Sequence, residues 1–164
     1  MSMKNWRAIV GGHEFKVVRF NDSPPVGAVL DKPENIVSYL VPQLAESVLF
    51  RPDVENLIVI HLSTRYQPIG YEVISNGVLD TLLIHPREIF KSAILANSAS
   101  IVLAHNHPSG DPSPSEPDIK ATRDLIRASK LMKIELLDHI ILGSATPERV
   151  KDYASLRELG YFYI

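Results

Sequence analysis

The sequence predicts an α/β sandwich built as a single domain with a short N-terminal extension. Three observations lead there. Short apolar, β-branched runs alternate along the chain with longer stretches of helical spacing. Hydrophobic residues make up 45% of the chain and charged residues 22%, the balance of a protein with a packed core. The length, 164 residues, fits one domain of ordinary size.

Each element follows from its local pattern. Residues 13–20 (HEFKVVRF) alternate apolar and polar side chains as a half-buried strand does. Residues 21–29 carry Pro24, Pro25 and Gly27 and form a loop or linker. The region 21–31 is therefore the one plausible boundary, dividing an extension at 1–31 from a domain at 32–164. Residues 33–49 place Ile36, Val37, Leu40, Val41, Leu44 and Val48 on one helical stripe, strained by Pro42. Residues 55–62 (ENLIVIHL) form a β-branched strand, and residues 69–75 a second one. The polar turn at 64–68 between them suggests a hairpin.

Pro86 suits the first position of a helix over 86–96, whose buried stripe is Ile89, Phe90, Ala93 and Ile94. Residues 100–104 (SIVLA) are a short buried strand. A polar, Pro-rich loop at 105–114 leads into a helix at 115–131, and residues 134–142 form a further strand.

Composition narrows the chemistry. The chain has no cysteine, so there is no disulfide framework, and any metal must be held by His and carboxylate. A formal charge of −2 provides no overall basic footprint for nucleic acid. No apolar run approaches the roughly 20 residues needed to span a bilayer. The start lacks the apolar stretch of a signal peptide, so the expected location is the cytoplasm, with no membrane partner. Oligomeric state is left open.

The informative stretch runs His105-Asn106-His107-Pro108-Ser109-Gly110-Asp111-Pro112-Ser113-Pro114-Ser115-Glu116-Pro117-Asp118. Residues i and i+2 of an extended backbone point to the same side, so His105 and His107 can meet one ion. Asp118, in the first turn of the next helix, would complete three protein ligands and leave a fourth position for water. Zinc held this way can bring the pKa of its water to about 7. Taken singly, the parts have plainer readings. Ser115 and Asp118 have the spacing of a capping box, and exposed loop histidines are common. Both readings of Asp118 can hold together, because a cap would aim the carboxylate.

His-x-His, seven residues, Ser, two residues, Asp is the JAMM motif of the MPN/JAB metalloprotease superfamily, with His105, His107, Ser115 and Asp118 in its four positions. The surrounding sequence, HPREIFKSAILANSASIVLAHNHPSGDPSPSEPD and then LLDHIILG, resembles the bacterial RadC-like branch of that superfamily. The resemblance runs from about Pro33 to Tyr161. It implies a JAB/MPN-type mixed sheet flanked by helices, with zinc (Zn2+) at one end. Nothing in the sequence has the form of the helix-hairpin-helix DNA-binding module found in longer RadC proteins.

The resemblance also implies catalytic partners. A general base takes a proton from water and returns it to the leaving group. Family members carry this glutamate upstream, at the start of a strand, and Glu55 matches that place. Glu72 on the next strand is the competitor. Ser115 has the family role of donor to the oxyanion. Asp138-His139 could touch the site from behind, although a polar pair in a strand more often pairs locally. His61 and His85 have no partner at ligand spacing and are structural or exposed. The aromatic run Tyr161-Phe162-Tyr163 could stack bases, yet a C-terminal aromatic cluster more often closes a core.

Three functions are weighed. The first is a zinc-dependent hydrolase of metallopeptidase or isopeptidase type, acting on a peptide, isopeptide or other amide. The second is a DNA-repair or mobile-element-associated protein acting on or near nucleic acid, which the charge balance does not favour. The third is a zinc-bearing interaction module without turnover. Eukaryotic isopeptidases usually have Ser or Thr between the histidines, where this chain has Asn106 as the RadC-like branch does, so the natural substrate stays open.

Overall fold

A computed structural model describes residues 6–10, 13–17, 27–76 and 85–163. Strands β1 (Trp6–Val10) and β2 (His13–Val17) pair antiparallel in a two-stranded sheet, with Val10 opposite His13. The strand expected at 13–20 is thus present at His13–Val17. Its last three positions, and residues 21–26 of the linker, lie outside the described residues. The sequence reading did not anticipate β1, because WRAIV has no clean alternation and only its partner marks it as a strand.

After β1 and β2 come α1 (Pro33–Glu46), β3 (Asn56–Leu62), β4 (Pro68–Asn76), α2 (Pro86–Leu95), β5 (Ser100–Asn106), α3 (Glu116–Met132), β6 (Glu135–Leu142) and β7 (Tyr153–Ser155). The last five strands form one sheet in the order β4-β3-β5-β6-β7. β3 and β4 make the expected hairpin, and β3 also pairs antiparallel with β5. β5 and β6 are parallel, and β7 returns antiparallel to β6, so the sheet is mixed. A tight turn cannot join parallel neighbours, and α3 supplies the crossover.

The central strands β3, β5 and β6 are buried on both faces. Val102 and Ala104 of β5 pack with Ile58 and Ile60 of β3 against Leu40 and Leu44 of α1. Ile101 and Leu103 point the other way, to Ile89 and Phe90 of α2 and Leu125 and Ile126 of α3. Each of the Val, Leu, Ile and Phe side chains among them contributes roughly 1.5–3 kcal/mol by full burial. A one-residue slip would exchange the two faces, so the register is strongly specified. The same alternation sends residue 105 toward α3.

Several boundaries and burials correct the sequence reading. Helix α1 runs through Pro42 but stops at Glu46, and the chain leaves the helix at Ser47 in an extended conformation. Val48, on the helical stripe by spacing, is therefore 96% exposed. Val41 is also exposed, while Tyr39 takes a buried place. In α2, Ile94 faces solvent and Ser92 is buried, its hydroxyl donating to the Ile89 carbonyl. Strand β5 extends two residues past Ala104, so His105 and Asn106 belong to the sheet and not to the loop. β7 is a further strand the sequence did not announce. Tyr161 and Phe162 pack against the core and Tyr163 is exposed, as expected of an aromatic cluster that closes a core. Among the described residues no helix is long and apolar enough to cross a membrane.

Candidate metal centre

His105 stands in register with Leu57 of β3 and Ile141 of β6 and is 1% exposed. Beyond the end of β5, the His107 N–H still donates to the Leu142 carbonyl at 2.9 Å, which keeps the backbone against β6. The two Nε2 atoms come to 3.0 Å of each other. Asp118 enters from the first turn of α3, with Oδ1 3.4 Å from His105 Nε2 and Oδ2 3.7 Å from His107 Nε2. Among the described residues these three side chains form a group able to hold a metal ion, with ligand atoms all within 4.8 Å of one another.

The helix cap aims the carboxylate. Ser115 donates to Asp118 Oδ2 from its backbone N–H at 2.8 Å and from its hydroxyl at 2.5 Å. Ser115 Oγ in turn accepts from the Asp118 N–H at 3.3 Å, completing a capping box. The cap and the convergence on the histidines therefore coexist, and Oδ1 is the oxygen left facing His105.

The charges suit a cation. Burial favours a neutral Asp118, but its interactions with the His107 and His105 rings and the hydrogen bonds from Ser115 outweigh it and hold the carboxyl well below its usual range. Burial pushes His105 down to about 4, so it is neutral near pH 7. The neighbouring Asp118 carboxylate raises His107. The His107 Nδ1 lies 2.6 Å from the Asp111 carbonyl, which can only accept, so Nδ1 carries a proton and Nε2 can offer its lone pair. Two ring nitrogens 3.0 Å apart beside a carboxylate need a proton or a metal ion between them. The donor set, two imidazoles and one carboxylate without sulfur, fits zinc and other borderline divalent ions.

The loop behind His107 is held by contacts that the sequence reading did not pick out. Gly110 has φ +79 and its carbonyl accepts from Ser144 N at 2.8 Å and from Arg149 Nη2 at 2.7 Å. Arg149 Nη1 reaches Asp111 Oδ1 at 3.2 Å. A Cβ on Gly143 would sit 2.5 Å from the Gly110 carbonyl oxygen and 2.7 Å from Pro112 Cδ, which no side-chain rotation relieves. Gly143→Ala is therefore expected to push this loop outward and cost about 1–3 kcal/mol of stability. Denaturant unfolding measures that cost, and a stability equal to wild type would refute the contact.

Glu55 precedes the first residue of β3, at the end of the strand where Leu57 faces His105. It is half-buried, and its charge acts on His107. Asn106, between the two histidines, holds the backbone on both sides of Glu55. Its Oδ1 accepts from the Asn56 N–H at 2.9 Å and its Nδ2 donates to the Val54 carbonyl at 2.9 Å. Glu72 lies one strand further out, opposite Val59, which itself faces Leu103, two residues inward from His105.

The Asp138-His139 pair divides, because consecutive strand residues point to opposite faces. Asp138 binds locally, accepting from Ser155 Oγ at 2.7 Å and from the backbone N–H of His139 and Arg157. His139, which burial keeps neutral, places Nε2 2.8 Å from His105 Nδ1 and Nδ1 2.6 Å from Thr122 Oγ1. Sequence reasoning missed Thr122, although it lies one helical turn beyond Asp118, where a shared face was legible. His61 is buried against Ser98 Oγ at 3.1 Å and His85 is exposed, so neither joins the site.

Residues 30–161 match the family model for the RadC-like JAB domain. A UPF0758 protein of Methanosarcina mazei is 39% identical over 132 residues, which is 80% of this chain and 53% of that protein. One from Chlorobium chlorochromatii is 49% identical over 106 residues, 65% of this chain and 45% of its own length. One from Desulfitobacterium hafniense is 40% identical over 140 residues, 85% of this chain and 57% of its own. The chain thus spans about half the length of the curated relatives it matches.

Proposed function

The chain belongs to the RadC-like JAB domain family, and on that premise we propose that it is a zinc-dependent amide hydrolase of metallopeptidase or isopeptidase type. The observation that carries the reading is the convergence of His105 Nε2, His107 Nε2 and the Asp118 carboxylate at one point. These residues would hold the ion, which when bound supplies a Lewis acid and a water whose pKa falls to about 7.

The chain's own groups do the rest. Glu55 takes the proton of the attacking water and returns it to the leaving amine. The Asn106 bonds to Val54 and Asn56 hold its backbone beside the histidines, which is the kind of placement a general base needs. A cavity of about 310 Å³ lies against His107, with Val41, Leu44, Phe50, Pro108 and Leu142 among its lining. It offers an apolar side chain a place next to the scissile amide.

Ser115 is the donor to the oxyanion. Before substrate arrives the hydroxyl donates to Asp118 Oδ2, and it turns from there toward the oxyanion while Oγ goes on accepting the Asp118 N–H. Ser115→Ala removes both bonds. The expected outcome is a fall in turnover of about 10²–10³ and a stability loss of about 1 kcal/mol from the lost cap. Steady-state kinetics and thermal unfolding of the same variant measure the two, and unchanged turnover would remove Ser115 from the mechanism.

The test of the reading as a whole is metal analysis followed by a panel of peptide, isopeptide and nucleic-acid substrates. Zinc bound at one per chain, with cleavage of an amide substrate that a chelator stops and zinc restores, is the expected result. Cleavage confined to nucleic acid would overturn it.

A further inference from the structure

We propose that Thr122, acting through His139, sets the tautomer of His105 and so keeps its Nε2 open to the metal. The inference rests on the reading of His105 as a ligand.

A neutral imidazole carries one ring proton, and only the bare nitrogen can bind an ion. In His105 the nitrogen facing His107 and Asp118 is Nε2, and the one turned away, Nδ1, lies 2.8 Å from His139 Nε2. One proton occupies that short gap. If it belongs to His105 Nδ1, Nε2 is bare and the ring is a ligand. If it belongs to His139 Nε2, the His105 proton must sit on Nε2 and the ring is closed to the ion.

The far side of His139 decides between them. Its Nδ1 is 2.6 Å from Thr122 Oγ1, and that same oxygen is 2.6 Å from the Asp118 carbonyl. A carbonyl can only accept, so the single hydroxyl proton of Thr122 goes to Asp118, the back-bond that threonine often makes to the residue four before it in a helix. Oγ1 must then accept from His139 Nδ1–H. His139 is left with a bare Nε2, which accepts from His105 Nδ1–H.

Thr122 is 0% exposed, His139 and His105 each 1%, and Asp118 7%, so a donor or acceptor left unpaired in this row is costly. The direction of every bond therefore follows from the carbonyl at its start. That carbonyl belongs to Asp118, so the row runs from the backbone of one ligand to the ring of another. It joins α3 to β5 by way of β6. Thr122 and His139 are positioning residues, since neither touches the ion.

The test reads the tautomer directly. In the 15N-labelled, metal-free chain, long-range 1H–15N correlation of the imidazoles should show His105 protonated on Nδ1. Thr122→Val keeps the shape and removes the hydroxyl. His105 should then show protonation on Nε2, wholly or in part, and zinc affinity, measured by competition with a chromogenic chelator, should fall about 10–100-fold. Thr122→Ser should restore both.

A folded Thr122→Val with the wild-type tautomer and wild-type zinc affinity would overturn the proposal. Should that variant fail to fold, the wild-type spectrum still decides, because His105 protonated on Nε2 in the native chain is incompatible with the row of bonds. Failure of the wild type to bind zinc would remove the metal reading instead, and the metal-free spectrum would still judge Thr122 and His139.

Discussion

His107→Ala is expected to leave a folded chain that retains no zinc after gel filtration, against about one per chain in the wild type. Two protein ligands rarely hold zinc, and the ring is partly exposed at the end of β5, so its loss opens no sealed core. His105→Ala is expected to lose the metal as well but to perturb the fold more. It empties a position that is 1% exposed and leaves His139 Nε2 without its partner. Asp118→Asn falls between them, weakening the metal and disturbing the capping box at a cost of about 0.5–2 kcal/mol. Metal analysis alongside thermal unfolding separates the three. Full zinc occupancy in the His105→Ala/His107→Ala double variant would rule this site out.

Glu55→Gln is expected to keep zinc and fold normally while turnover drops about 10²–10⁴, the usual share of a positioned acid–base group. The amide preserves shape and can still hydrogen-bond, but it cannot take a proton from water. Glu55 is half-buried just before β3, so stability should change little. Glu72→Gln is the control. It lies on the outer strand opposite Val59, and turnover should stay near wild type. Steady-state kinetics on a substrate identified by the panel, with zinc content measured on the same samples, checks both. Normal turnover in Glu55→Gln together with loss in Glu72→Gln would transfer the role to Glu72. Normal turnover in both would leave the metal site intact and remove the proposed activation of water.

The features legible in the sequence are those that depend on near neighbours along the chain. The α/β alternation, strands β3, β5 and β6, and the starts of α1, α2 and α3 at Pro33, Pro86 and the Ser115 cap all follow from local spacing. So does the grouping of His105, His107 and Asp118, because a strand end, a short loop and the first turn of a helix bring the three side chains together within fourteen residues of chain. Only the tertiary structure decided what depends on partners remote in sequence. β1 and β7 are too short or too irregular to announce themselves and exist through the strands they pair with. Val48 continues the helical stripe of α1 by spacing, yet the chain turns away at Ser47 and leaves it in solvent. Where the two glutamates lie along the sheet depends on the register of β3 with its neighbours. Glu55 just precedes the strand whose Leu57 pairs with His105, Glu72 lies one strand further out opposite Val59, and Asn106 reaches back some fifty residues to Asn56 and Val54. The contact of His139 with His105 likewise requires β6 to lie parallel to β5, with α3 crossing over the same face. Spacing along a chain determines which side of its own element a residue takes. The group it then meets is determined by strand pairing, where burial of two apolar faces makes any other register costly.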